Sequence, residues 1–325
     1  MKYPVIHFFN KKIMQKNRKN KLAFSLIEIS IVIIVIGILV IGITKGSKII
    51  KKSKITSAQS LTINSPVASI EGLAFWLEST LDASFVENAA VDTDLGDDGT
   101  ITVWNDINPH APIKKNATQG STALAPRYIA DGINGLPVVN FDGDNNGGSS
   151  ENAGGSATRD FMILPTAEDL GLVESDWEIF IVYQIRNYSV SDHAQFLIAG
   201  SDSRSYEIHS LYTGFLRVIA DGDGNLADYP DSTITNQISP HIASGAVRGT
   251  SSIARLDGGG DNADTNDFSP KSSESGNLII GRRGDASFPL NGDIGEVIIF
   301  NRSLNNFERD GVEEYLSAKW GIELQ

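Results

Sequence analysis

Twenty consecutive residues from Phe24 to Ile43, FSLIEISIVIIVIGILVIGI, carry a single charge, the carboxylate of Glu28. At roughly 1.5 Å per residue, a helix over this run is about 30 Å long, the thickness of a bilayer's hydrocarbon core. The pattern predicts a transmembrane helix over 24–43. The preceding residues 1–23 hold Lys2, Lys11, Lys12, Lys16, Arg18, Lys19 and Lys21 and no acid, which places the N-terminus on the cytoplasmic side. Lys45, Lys48, Lys51, Lys52 and Lys54 follow the span, so the flanking charge is not one-sided. A secretory signal peptide is a poor fit, because the apolar run is too long and no small-x-small site follows it. A plain single-pass anchor fits the hydropathy but leaves Glu28 unexplained. A carboxylate five residues into a lipid-facing helix costs a few kcal/mol or more and by default marks a function.

The segment KLAFSLIEISIVIIVIG closely resembles the prepilin N-terminal cleavage and methylation motif of type IV pilins and pseudopilins. The resemblance implies cleavage by a prepilin peptidase between Ala23 and Phe24, N-methylation of Phe24, and use of Glu28 to neutralise the terminal amine of a neighbouring subunit. Gly37 falls where many pilins carry a glycine in this helix. The family usually has Gly before the cut; this chain has Ala23, the next smallest residue. Physically, Glu28 is a penalty alone in lipid and a registry device when paired with an amine in a helix bundle. Ser30, Gly37 and Gly42 permit close approach of neighbouring helices. Residues 44–65 read as a continuation of the helix and a stem.

Charge divides the chain at the same place. Residues 1–59 hold 12 Lys/Arg and one acid, leaving 15 basic and 39 acidic residues of the chain's 27 and 40, a net of −24 for the body. An acidic body repels phosphate backbones, so nucleic acid is not expected as a partner. With no cysteine, neither a disulfide framework nor a thiolate site exists.

From about residue 66 short β-branched and aromatic runs alternate with Gly, Asn, Asp and Pro clusters. Among them are LAFWL (73–77), LPVVNFDG (136–143), WEIFIVYQI (177–185), GFLRVIA (214–220), NLIIG (277–281) and DIGEVIIF (293–300). This punctuation predicts an all-β sandwich over 66–325. One helix is expected near the end, opened by a capping box at Asn305 and Glu308, carrying an apolar stripe of Phe307, Val312, Tyr315 and Leu316, and closed by Gly321. The blocks GLAFWLEST (72–80), VWNDIN (103–108), NATQG (116–120), GINGLPVVNFDG (132–143), IIGRRGD (279–285) and NGDIGEVIIFNRSLNNFERDGVEEYLSAKWGI (291–322) resemble the laminin-G-like, concanavalin A-like jelly roll of bacterial surface proteins. Trp76, Trp104, Phe141 and Trp320 read as packing residues and Glu296 as a structural hydrogen-bond acceptor.

Calcium is the one cofactor the composition suggests. Asp221, Asp223 and Asn225, with Asp228 nearby, offer hard oxygen ligands at alternate positions of a glycine-rich loop; Leu226 and Ser232 depart from the EF-hand pattern. Asp257 to Asp267, and Asp142, Asp144 and Asn146, have similar chemistry without ordered spacing. A solvated acidic hairpin tip is the competing explanation. Glu174, Asp176 and Glu178 alternate as the carboxylates of some glucanases of this architecture do, which on a strand would put all three on one face, although two of them fall before the strand. The histidines lack metal spacing, no GxSxG is present, and Gly147–Ser156 lacks the lysine of a phosphate loop.

These features predict a pilin-like or pseudopilin-like filament subunit rather than an enzyme. Its partners would be copies of itself or other pilins, the prepilin peptidase and the membrane. Its sandwich head would meet a glycan or surface protein outside the cell, after residence in the inner membrane. The alternatives are an uncleaved membrane-anchored adhesin or carbohydrate-binding protein, and a β-glucan-acting glycoside hydrolase.

Overall fold

The computed structural model describes residues 26–85, 99–143, 160–186, 194–200, 206–211, 215–219, 226–230, 238–249, 251–260, 262–263, 276–284 and 288–325. A single helix, α1 (Leu26–Ile63), passes without interruption through Gly46. The chain divides into two compact units, Met1–Ile50 and Lys51–Gln325, so the last thirteen residues of α1 belong to the head.

The head is β-sandwich-like, two antiparallel sheets facing each other. In chain order the strands are β1 (Leu73–Glu78), β2 (Gly99–Thr100), β3 (Val103–Trp104), β4 (Ala117–Thr118), β5 (Arg127–Ile129), β6 (Val138–Phe141), β7 (Met162–Thr166), β8 (Trp177–Ile185) and β9 (Ala194–Ala199). There follow β10 (Glu207–Leu211), β11 (Phe215–Ile219), β12 (Leu226–Pro230), β13 (Pro240–Val247), β14 (Ile253–Leu256), β15 (Asn262–Ala263), β16 (Asn277–Ile280) and β17 (Gly292–Phe300), then helix α2 (Asn306–Trp320). One sheet runs β15-β14-β13-β8-β17-β6-β5-β2, with β1 also paired to β17; the other runs β12-β11-β10-β9-β16-β7-β4-β3.

Strand alternation explains the two cores. On β8, Ile179, Ile181 and Tyr183 face the second sheet, while Phe180 and Val182 face outward. On β17, Val297 and Ile299 point inward and Ile298 and Phe300 outward. The outer face of the first sheet is itself covered, by α2 and by Ile55, Ala58 and Leu61 of α1. Strands buried on both faces read as near-continuous apolar runs, which is why WEIFIVYQI and DIGEVIIF show so little alternation. Trp76, Trp104, Phe141 and Trp320 are all buried.

Helix α2 begins at the expected capping box: the Asn305 side chain accepts from the Glu308 amide, and Glu308 accepts from the Asn305 amide. It ends at Gly321 in the left-handed region at φ 64°. One expectation fails. Phe307 is 88% exposed, because at about 100° per residue it lies half a turn from Leu316. The buried face runs through Arg309, Val312, Glu313, Tyr315, Leu316, Lys319 and Trp320.

Three charged residues therefore sit on the buried stripe, and each finds a partner. Lys319 Nζ donates to Glu78 Oε2 at 2.9 Å and to Glu296 Oε2 at 2.8 Å. Glu296 also accepts from Trp76 Nε1 (2.8 Å), Trp320 Nε1 (2.9 Å) and the Tyr315 hydroxyl (2.7 Å). Glu78 accepts from the Thr80 amide and hydroxyl, the Leu81 amide and the Ser84 hydroxyl. Burial works against ionisation of Glu78, yet Lys319 and these hydroxyls hold its pKa below the usual value. Burial likewise opposes the Lys319 ammonium, and the two carboxylates hold its pKa above the usual value. Arg309 clamps Glu178 at 2.5 and 3.0 Å, and Glu313 meets Arg255 at 3.1 Å and the Ser244 hydroxyl at 2.8 Å. Gly295 makes the first of these networks possible: a Cβ there would lie 2.5 Å from the Trp320 ring.

Replacing Lys319 by Met keeps the side chain's length and leaves two buried carboxylates without their cation. The expected loss in urea unfolding is ~3–5 kcal/mol. The paired Lys319→Met/Glu78→Gln variant should recover part of that loss.

Candidate functional site

Apolar side chains normally bury themselves, so the features of α1 that do not are the first place to look for function. Among the described residues Leu26 to Val40 every large apolar side chain is about half exposed or more, Ile36 at 53% and Ile38 at 66% for example. Glu28 stands in the first turn of this helix. Among the described residues Gly37 has nothing within 4 Å of where a Cβ would be, so none of them requires its small size. Ser30 Oγ donates to the Leu26 carbonyl at 2.7 Å, the back-bond to its own helix that a mid-helix hydroxyl commonly makes. Ala23 and Phe24 lie outside the described residues. Among the described residues no helix is long and apolar enough to cross a membrane. The side chains described without a gap, Leu26–Val40, extend about 22 Å, short of the ~30 Å of a hydrocarbon core; those of residues 41–45 are outside the described set.

Within the head unit the tail of α1 is fastened at two ends of the Lys319 network. Gln59 Nε2 donates to the Thr80 carbonyl at 2.9 Å, beside Glu78. The Thr62 hydroxyl lies 3.3 Å from the Tyr315 hydroxyl, which donates to Glu296. Burial and the Glu296 carboxylate push the Tyr315 pKa well above its ordinary value, so it stays a donor. Lys51 approaches Asp131 at 3.8 Å and Lys54 approaches the Asn134 carbonyl at 3.5 Å. From Lys51 onward the helix is thus a packed part of the head unit rather than a free spacer.

The candidate ligand and catalytic residues fare differently. Asp221, Asp223 and Asn225 lie outside the described residues. Asp228 is on strand β12, in register with Arg217 of β11, rather than on a loop. Asp257 accepts from the Ile242 amide and pairs with His241 Nδ1 at 2.7 Å. Among the described residues no group of three or more His, Cys, Asp or Glu side chains could hold a metal ion. The three alternating acids do not share a face: Glu174 takes a positive φ of 54° ahead of β8, Asp176 also precedes the strand, and Glu178 is buried against Arg309.

Two clusters escaped the sequence. His209 projects from the face of β10 opposite Ile208, which is in the core. Burial, then the charges of Arg217 and Arg283, push its pKa down to about 3, so it is neutral at physiological pH. Asp160 meets Asp142, whose amide donates to Asp160 Oδ2 at 3.2 Å. Burial and the adjacent Asp142 raise the Asp160 pKa to about 8. His209 has no motif; Asp142 groups in the sequence with Asp144 and Asn146, which lie outside the described residues, and it meets Asp160, eighteen residues on, only when β6 and β7 are placed.

No family model and no curated protein matches the chain. Among solved structures, the sialidase of Trypanosoma rangeli in complex with a difluorinated sugar acid is 12% identical, over 82% of this chain and 38% of that one, with a TM-score of 0.49. The binding domain of Paraclostridial Mosquitocidal Protein 1 is 14% identical, over 78% and 55%, at 0.46. Domain 4 of an extracellular arabinanase of Geobacillus stearothermophilus, solved with arabinotriose, is 14% identical, over 75% and 97%, at 0.44. The chain spans well under half the length of the sialidase, and each likeness falls short of establishing a common fold.

The carboxyl pair gives a pH signature. Because Asp160 binds its proton more tightly in the folded chain than an unfolded carboxyl does, its contribution to stability is complete below about pH 4 and is lost as pH rises through about 8. Glu313, raised by burial to about 7, acts in the same direction. The melting temperature should fall between pH 5 and pH 8.5, and Asp160→Asn should flatten that fall by several degrees, as read by calorimetry.

Proposed function

We propose that the chain is a type IV pilin-like or pseudopilin-like filament subunit. The run Phe24–Ile43 is its transmembrane and assembly helix, and the sandwich is a laminin-G-like, concanavalin A-like jelly-roll head displayed beyond the membrane. The observation that carries the reading is a helix whose apolar side chains from Leu26 to Val40 stand exposed all round, with an acid in its first turn. Such a surface is stable only in lipid or against other helices, and Glu28 is tolerable in either only with a positive partner.

In this reading the basic leader stays cytoplasmic until the peptidase cuts between Ala23 and Phe24. The methylated amine of Phe24 on one subunit then pairs with Glu28 of the next. Gly37 supports it as a site of close helix approach. The subunit would reside in the inner membrane before assembly and at the cell surface or in the periplasm afterwards. The head would act as a binding and adhesion module for a glycan or surface protein, not as an enzyme. A second reading, an anchored adhesin that is never cleaved, is favoured by one residue, Ala23 in place of the usual glycine.

Mass spectrometry of the protein from its native envelope separates the two. The filament reading expects a mature N-terminus at a methylated Phe24; an intact residue 1 excludes it. Glu28→Ala should reduce incorporation into filaments at least tenfold while leaving the head's melting temperature unchanged.

A further inference from the structure

We propose that the outer face of α2, centred on Phe307, docks the turn Lys48–Lys52 of a second copy of this chain. The inference rests on the filament reading above and names a contact by which one subunit's head meets the next subunit's α1.

Phe307, at 88%, is the most exposed large apolar side chain among the described residues, and it does not stand alone. At about 100° per residue, Phe307, Gly311, Glu314 and Ala318 fall on one side of α2; Phe307, Glu314 and Ala318 are exposed. The end of α1 runs beside this helix. Its Thr62 hydroxyl lies 3.3 Å from that of Tyr315, and a Cβ on Gly311 would lie 4.0 Å from Pro66, itself exposed. Ile63, next to Thr62, is 72% exposed. All of these residues belong to the head unit. Grouped apolar exposure of this kind marks an interaction surface.

The charge around that strip selects the partner. Glu314 and Glu71 are exposed. Arg255 already faces Asp310 at 3.5 Å and Glu313 at 3.1 Å, and Arg302 is gripped by Glu308 at 2.9 and 2.6 Å with Glu71 close by. The excess is negative, so two such faces repel each other and a symmetric pair is disfavoured. A partner has to bring cations around an apolar side chain. Residues 44–54 of α1 hold five lysines and no acid. Lys48 and Lys52 stand one turn apart with Ile49 beside them, and all three are exposed, Ile49 at 69%.

Docking sets Ile49 against Phe307 and Ile63, and the two ammonium groups against Glu314 and its acidic surroundings. That is an apolar centre inside a polar, charge-complementary rim. An anionic lipid surface would satisfy the lysines but leave Phe307 in water. The contact joins different molecules, so the arrangement of the two units within one molecule does not enter. Because the two surfaces differ, the contact is heterologous. Each bound copy keeps one surface free, and repetition extends a chain or closes a ring.

The chain has no cysteine, so two differently tagged full-length forms, Ile49→Cys and Phe307→Cys, are co-expressed in the native envelope and oxidised with copper phenanthroline. The expected product is a disulfide dimer carrying both tags, several-fold more abundant than dimers carrying one. Adding Lys48→Glu/Lys52→Glu to the first form should cut the mixed dimer several-fold, and Glu314→Lys in the second should restore part of it. All these side chains are exposed, and an unchanged melting temperature verifies that each head is folded. Dimers carrying one tag only, or capture of the Phe307→Cys form by a different protein alone, overturn the proposal. No cross-link in filaments that still sediment overturns the docking and leaves the filament reading standing. If the unsubstituted chain forms no sedimenting assembly, both fall.

Discussion

Lys319 is the residue around which the head is organised. A buried ammonium is tolerated only where carboxylates and further donors replace the water it has lost, and those groups come from three remote parts of the chain. Glu78 ends the first strand, Glu296 is in the last, and Tyr315 and Trp320 flank Lys319 on the closing helix. Each carboxylate is saturated with donors, among them two indole N–H groups. Three geometric consequences follow. The helix must lie across the first sheet with its last turn over β17. Position 295 must be glycine to admit the Trp320 ring. The stem of α1 must reach Thr80 and Tyr315 where it does.

Charge does for α2 what an apolar stripe alone does not. Apolar contacts are non-directional, so a greasy helix on a greasy sheet could slide by a turn at little cost. Arg309 on Glu178, Glu313 on Arg255 and Lys319 on its two carboxylates permit one register. Removing any partner would strand a buried charge, which disfavours every alternative placement. The first unit is built the other way. Among its described residues Leu26–Val40 present exposed large apolar side chains and one acid, Glu28.

Much of this was legible beforehand, and the reasons differ. The expectation of a span, a leader and a special role for Glu28 rests on local composition, twenty residues set against a bilayer of fixed thickness; what the structure describes there is an uninterrupted helix from Leu26. The strands at 177–185 and 293–300, the capping box at Asn305 and the stop at Gly321 are also local signals. Phe307 misled because a helical stripe needs a phase as well as residue types, and its phase was set by Lys319 and Arg309. A cation at the position of a stripe residue, four after Tyr315, was the available sign that a buried counter-charge existed. Glu78 and Glu296 could not have been singled out as its partners.

The sequence by itself determined the divided character of the protein: an apolar, basic-flanked helix and an acidic β body, because hydropathy, charge and turn residues act over short windows. Only the tertiary structure decided which acids are paired, that α1 from Lys51 onward belongs to the head unit, and that Asp142 and Asp160 share a site. Those are relations between residues tens to hundreds of positions apart, and they depend on strand order and register. Neither is encoded in any local pattern; both emerge when buried charges have to find their complements in a dry interior.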